Sequence, residues 1–157
     1  MKVKLIVVGK TNVNYLKDGE TEYDKRIQHY VNFEQLIITD IKNTKNLSTA
    51  QLKNKEGEQI LSKINTSDYV VLLDEKGKQF SSKEFSNFLN KMNLSSTKYL
   101  VFIIGGAFGF SDEVYHRADY KLSLSKMTFT HQMIRIVFKE QLYRAFTIIK
   151  GEKYHNN

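Results

Sequence analysis

The chain has 157 residues, 41% of them hydrophobic and 26% charged, with a formal net charge of +7. That length suits one domain, and the balance is that of a globular protein rather than a disordered or fibrous one. It contains no cysteine, proline or tryptophan, which excludes disulfides, thiolate metal sites, cysteine nucleophiles and every proline-based turn.

The positive charge gathers at the C-terminal end. Residues 126–157 carry six basic side chains (Lys126, Arg135, Lys139, Arg144, Lys150 and Lys153) against two acidic ones, Glu140 and Glu152. A basic surface suits a polyanion such as nucleic acid. The longest uncharged apolar-rich run, 99–110, has 12 residues, short of the ~20 that a membrane-spanning helix needs. Lys2, Lys4 and Lys10 interrupt any signal-peptide core. The expectation is a cytoplasmic protein with no membrane contact.

In chain order, the run Leu5-Ile6-Val7-Val8 predicts a strand buried on both faces. Residues 13–30 place Leu16, Tyr23, Ile27 and Tyr30 at helical spacing, and 33–41 predicts a second strand. The polar stretch 42–49 predicts a surface loop, followed by a helix over 48–64 capped by Ser48 or Thr49. Continuous apolar runs at 69–73 and 99–104 predict two more buried strands, with a helix over 82–92 between them carrying Phe85, Phe88, Leu89 and Met92. A short helix, a strand at 120–124 and a final helix over about 130–149 complete the chain. The alternation predicts an α/β fold, a mainly parallel sheet with helices on both faces. The final helix has apolar residues all round, from Met133 and Ile134 to Ile148 and Ile149, which predicts a second body against its outer face, most simply another copy of the chain.

Ligands of open parallel sheets bind beyond the carboxyl ends of the strands. Gly9-Lys10-Thr11 resembles the end of a phosphate-binding loop, but Lys4 stands where that motif needs a glycine, and no G-x-G-x-x-G follows the strand. Asp74, after the third strand, reads as a hydrogen-bond acceptor, as a phospho-acceptor of a receiver-like fold or, more plainly, as part of a solvated turn. Gly105-Gly106-Ala107-Phe108-Gly109 follows the fourth strand, where glycines let a ligand approach the backbone. Residues 122–131 offer hydroxyls and backbone groups able to wrap a neutral heterocycle, with Thr130 as a helix cap. Glu140 and Arg144 are spaced for an intrahelical ion pair. The four histidines show no metal-ligand spacing, so no metal is expected.

These segments together carry a resemblance. Gly105-Gly106-x-x-Gly109, Leu122-Ser123-Leu124-Ser125-Lys126-Met127-Thr128, His131, Glu140-Gln141-Leu142-Tyr143-Arg144-Ala145 and Tyr154-His155 resemble the bacterial ribosomal RNA large subunit methyltransferase H family, of the SPOUT class. Val7-Val8-Gly9-Lys10 and Lys55-Glu56-Gly57 agree with it, and the resemblance runs the length of the chain, 1–157, as a single domain. It implies a C-terminal trefoil knot, which general folding rules would not suggest, and a homodimer formed through the knot region. It implies methylation of N3 of a pseudouridine in 23S ribosomal RNA within the assembled ribosome, with S-adenosylmethionine as cofactor.

Carried over by position, the cofactor site is Leu73, Gly105, Gly106 and Gly109 with the loop Leu124, Ser125, Lys126, Met127, Thr128, Phe129 and Thr130. The catalytic set is His131, Arg144, Tyr154 and His155. The reaction so implied is in-line attack of N3 on the sulfonium methyl, which needs alignment, a proton acceptor and a cation for the developing anion. Arg144 suits the anion, and either His131 or His155 the proton. Thr130 stands where relatives usually have proline, and Phe108 where some have a polar or acidic residue. The terminal segment 154–157 is expected to reach the same strand-end crevice as the cofactor loop. The competing reading is a non-catalytic RNA-binding module of ribosome assembly, which needs the basic C-terminus but no cofactor pocket.

Overall fold

Five strands, β1 (Lys2–Val8), β2 (Asn32–Ile38), β3 (Tyr69–Gln79), β4 (Tyr99–Ile104) and β5 (Tyr120–Ser123), form one sheet in the order β2-β1-β4-β3-β5. Every neighbouring pair is parallel. This is a computed structural model, and it describes residues 1–156; Asn157 lies outside the described residues. The central strands are the continuous apolar runs of the sequence. Val70, Val71 and Leu72 of β3 and Leu100 to Ile103 of β4 are wholly buried, because helices cover both faces of the sheet.

Helices α1 (Asn14–Gln28), α3 (Ser82–Leu94) and α5 (Met133–Ile149) lie on one face, where Ile27, Phe85, Leu89, Phe138 and Leu142 pack on Leu5, Val71 and Phe102. Helices α2 (Thr49–Leu61) and α4 (Asp112–Arg117) lie on the other, where Ile60 and Val114 pack on Ile6, Leu72 and Ile103. Two helix starts are fixed by reciprocal capping boxes, Ser48 with Gln51 and Ser81 with Glu84, each interaction of this kind contributing ~1 kcal/mol. Ser48, not Thr49, is therefore the cap of α2.

Three departures from the sequence reading bear on the site. β2 stops at Ile38 rather than 41, which leaves Thr39, Asp40 and Ile41 in the loop beyond the strand end. β3 continues past residue 73 to Gln79 through an excursion: Leu73 and Lys78 both pair with Leu122, so residues 74–77 leave the ladder. Gly77 is required there, since a Cβ would come within 2.7 Å of the Leu122 backbone nitrogen. Finally, α5 lies between α1 and α3, and Phe138, Leu142, Ala145 and Phe146 are buried within the chain's own core. The chain itself thus covers much of a helix whose apolar residues predicted an outside partner. The outward remainder includes half-buried Val137 and Ile148 and the exposed Ile149. Among the described residues, no helix is long and apolar enough to cross a membrane.

Candidate active site

The carboxyl ends of β3, β4 and β5 open into a crevice of about 630 Å³, within the usual range for a small-molecule site. Three segments build it. β3 supplies Leu73 and the excursion residues Asp74, Glu75 and Lys76; β4 supplies Ile104 and the run from Gly105 to Phe110; the chain after β5 supplies Leu124, Ser125 and residues 127–131. Thus Leu73, Gly105, Gly106, Gly109, Leu124, Ser125, Met127, Thr128, Phe129, Thr130 and His131 all line one cavity. Lys126 does not: it sits on the same loop, exposed.

The glycines serve different ends. A Cβ on Gly105 would come within 3.0 Å of the Phe110 ring, and one on Gly106 within 2.6 Å of the Glu56 carboxylate. The space these two leave is therefore taken by the protein's own side chains. Gly109 differs: its φ of +83° favours glycine, and a Cβ there would meet nothing within 4 Å. Its N–H closes the turn onto the Gly106 carbonyl at 3.2 Å. Phe108, carried between them, lines the cavity while 54% exposed.

Several contacts of the site were not predicted from sequence. Asp74 accepts a hydrogen bond from the Tyr115 hydroxyl and another, within its own exposed turn, from the Lys76 N–H at 2.9 Å. The Tyr115 phenol is raised well above its ordinary range by burial and by the Asp74 carboxylate, and it remains a donor. Glu56 stands behind the glycine run. Burial and the neighbouring Asp40 raise its carboxyl above the ordinary glutamate range, against a hydrogen bond from the Gly106 backbone. No local motif marks Tyr115, because its role arises only when α4 packs beside β3.

The remaining predicted site residues form a second cluster. Glu140 Oε1 accepts from Arg144 Nη2 at 2.6 Å, from Arg144 Nε at 3.1 Å and from the Tyr154 hydroxyl at 3.0 Å. Arg144 Nη1 lies 3.3 Å from His155 Nδ1, and the Arg144 guanidinium sits 4.7 Å from the centre of the Tyr154 ring. Tyr154 also meets Tyr143 edge-on at 4.7 Å and the Tyr23 hydroxyl at 3.4 Å. The tail is tied down by a short 3₁₀ turn, Lys153–His155. Burial, with hydrogen bonds to Tyr23 and Glu140, raises the Tyr154 phenol above its ordinary range, so it stays protonated and donates its hydroxyl hydrogen to Glu140. The Glu140 carboxylate raises Arg144 in turn and keeps it cationic.

This cluster corrects one expectation. Arg144, Tyr154 and His155 do not line the crevice of their own chain; they gather toward the far end of α5, where Tyr154 meets Tyr23 of α1. The helical run separates the two groups, since a helix rises ~1.5 Å per residue. Among the described residues no group of three or more His, Cys, Asp or Glu is placed to hold a metal ion.

Known proteins resemble this chain over nearly its whole length. Residues 1–155 match the family described as "Predicted SPOUT methyltransferase". A protein of Christiangramia forsetii named ribosomal RNA large subunit methyltransferase H is 57% identical over 99% of this chain and 99% of its own length. Proteins of the same name from Parabacteroides distasonis and Cytophaga hutchinsonii are 55% and 53% identical over 99% of this chain, covering 99% and 100% of their own lengths. Identity at this level over 99% of the chain shows the family: the chain belongs to the ribosomal RNA large subunit methyltransferase H family of SPOUT methyltransferases.

Proposed function

We propose that the chain is an S-adenosylmethionine-dependent methyltransferase acting on N3 of a pseudouridine in 23S ribosomal RNA of the assembled ribosome, and that it works in the cytoplasm as a homodimer with the knotted C-terminal segment of its class. The observation that carries this reading is the crevice. Its lining suits the cofactor: apolar Leu73, Ile134 and Phe129 for a heterocycle, backbone around Gly105 and Gly109 for hydrogen bonds, and the carboxylates of Asp74 and Glu75 for a cationic ligand. S-adenosylmethionine, when bound, supplies a methyl group on a sulfonium centre.

The chain's own residues then have distinct tasks. The crevice holds the donor in one orientation, which is the main requirement of an in-line displacement. Arg144, held cationic by Glu140, stabilises negative charge on the target base or a phosphate. Tyr154 stays protonated and serves as a donor or a stacking surface. His131, on the crevice rim, or His155, beside Arg144, takes the N3 proton.

The separation of the two clusters supports the dimer. Each chain has a crevice with His131 at one end of the α5 run and the Arg144–Tyr154–His155 cluster at the other. A two-fold partner that lays its tail cluster against the neighbour's crevice joins the two groups into one site. Titration calorimetry with S-adenosylmethionine tests the reading. Saturable binding is expected, and no binding at millimolar ligand would leave only an RNA-binding module.

A further inference from the structure

The turn after β1 meets the start of α5 through side chains that the proposed reaction does not use. Gln132 Oε1 accepts from the Asn12 N–H at 3.0 Å and the Val13 N–H at 3.4 Å, and its Nε2 donates to Asn12 Oδ1 at 2.9 Å. One turn later the fully buried Arg135 donates from Nη2 to the Val8 carbonyl at 2.7 Å and from Nη1 to the Thr11 hydroxyl at 3.0 Å. Thr11 donates to Glu20 Oε2 at 2.5 Å, and Glu20 pairs with the buried Lys139 at 3.1 Å. A chain of polar contacts therefore runs from the end of β1 through α1 to α5.

The crevice-lining segment 124–131 lies directly before this contact. Its other end is fixed by the pairing of β5 with β3. Between these anchors its bonds are mostly local: the Ser123 hydroxyl to the Ser125 carbonyl at 2.9 Å, the Met127 N–H to Ser125 Oγ at 2.9 Å, and the Met133 N–H to Thr130 Oγ1 at 3.1 Å. The cross-contact from Thr128 to Glu75 is long, at 3.4 Å. Residues 126–131 are exposed. Such a segment takes its shape from its ends, and in a chain without proline no ring restricts its backbone.

We propose that Gln132, backed by Arg135, is a positioning residue that holds the 124–131 segment in its binding shape by fastening its C-terminal end to the turn after β1. Binding to a preshaped segment avoids the cost of ordering it at the moment of association. The inference rests on the crevice being the cofactor site, and it adds two residues outside that crevice to what the site requires.

Two variants of the full-length protein test it. Gln132→Ala removes three hydrogen bonds at a half-buried position; Gln132→Glu keeps the oxygen that accepts from Asn12 and Val13. Amide hydrogen exchange is followed in the free protein, and S-adenosylmethionine affinity by calorimetry. In Gln132→Ala, exchange over 124–131 is expected to rise at least ~5-fold with β1 and β4 unchanged, and affinity to fall by about the same factor. Gln132→Glu recovers most of both. Unchanged exchange over 124–131 would overturn the proposal, as would faster exchange throughout the sheet or faster local exchange with unaltered affinity. Faster local exchange in a protein that binds no S-adenosylmethionine even as wild type would overturn the cofactor reading while leaving the mechanical role of Gln132 in place.

Discussion

His131 and Arg144 stand thirteen residues apart on one continuous helical run, for the Ile134 N–H already bonds the Thr130 carbonyl at 3.0 Å ahead of α5. At the rise of an α-helix that is ~20 Å, too far for both to touch one base in one chain. The proposed dimer joins them in a site shared between protomers, and that proposal carries a complementation experiment. Gly109→Val, which damages the crevice turn, and Arg144→Ala, which damages the tail cluster, are each expected to lose nearly all methyl transfer. Mixed dimers of the two contain one intact composite site and regain up to ~half of the wild-type rate per dimer. Mixed dimers as inactive as their parents would place the whole site within one chain.

The glycines of the site should rank by what their missing Cβ would strike. At Gly77 the obstacle is the Leu122 backbone, which cannot move without parting β3 from β5. At Gly106 it is the Glu56 carboxylate, the free end of a flexible side chain. Gly77→Ala is expected to weaken S-adenosylmethionine binding at least ~10-fold, or ~1.4 kcal/mol, and Gly106→Ala by less than ~3-fold. Calorimetry on the two variants settles the order, and the reverse ranking would contradict the excursion geometry.

Lys139 Nζ is buried between Glu20 at 3.1 Å and Asp24 at 2.8 Å. Removing the cation leaves the buried Glu20 carboxylate without its ion pair, with the Thr11 hydroxyl still donating to it. Lys139→Met is expected to destabilise the fold by ~3–5 kcal/mol, and Lys139→Met combined with Glu20→Leu to recover most of that loss. Denaturant unfolding measures both. A single variant as stable as wild type would show the pair to be dispensable.

The α/β architecture was legible because strands buried on both faces are continuous apolar runs, as at 69–73 and 99–104, and because Ser48 or Thr49 announced a helix that Ser48 indeed caps. The crevice was legible in part, since glycines and hydroxyls follow strands. What escaped depends on distant segments meeting. The excursion at 74–77 and the Tyr115–Asp74 bond need α4 and β5 in place, and Gln132 looks like any surface glutamine until Asn12 lies beside it. The tail misled for a related reason. Its position follows from Tyr154 meeting Tyr23 of α1, a contact across 131 residues that no spacing along the chain reveals.

Deleting residues 154–157 removes Tyr154 and His155, neither of which lines the crevice or belongs to the buried core clusters. Folding and S-adenosylmethionine affinity are expected to stay near wild type, while methylation of ribosomal substrate falls at least ~10-fold, equivalent to ~1.4 kcal/mol of transition-state stabilisation. Loss of cofactor binding in the truncated protein would instead make the tail part of the methyl-donor site.

The most direct measurement is transfer of labelled methyl from S-adenosylmethionine to ribosomes that lack the modification, followed by digestion of the 23S ribosomal RNA and identification of the labelled nucleoside. The account predicts label at N3 of one pseudouridine, reduced at least ~10-fold by Arg144→Ala. Label on another nucleoside, or none from a protein that binds the cofactor, would contradict it.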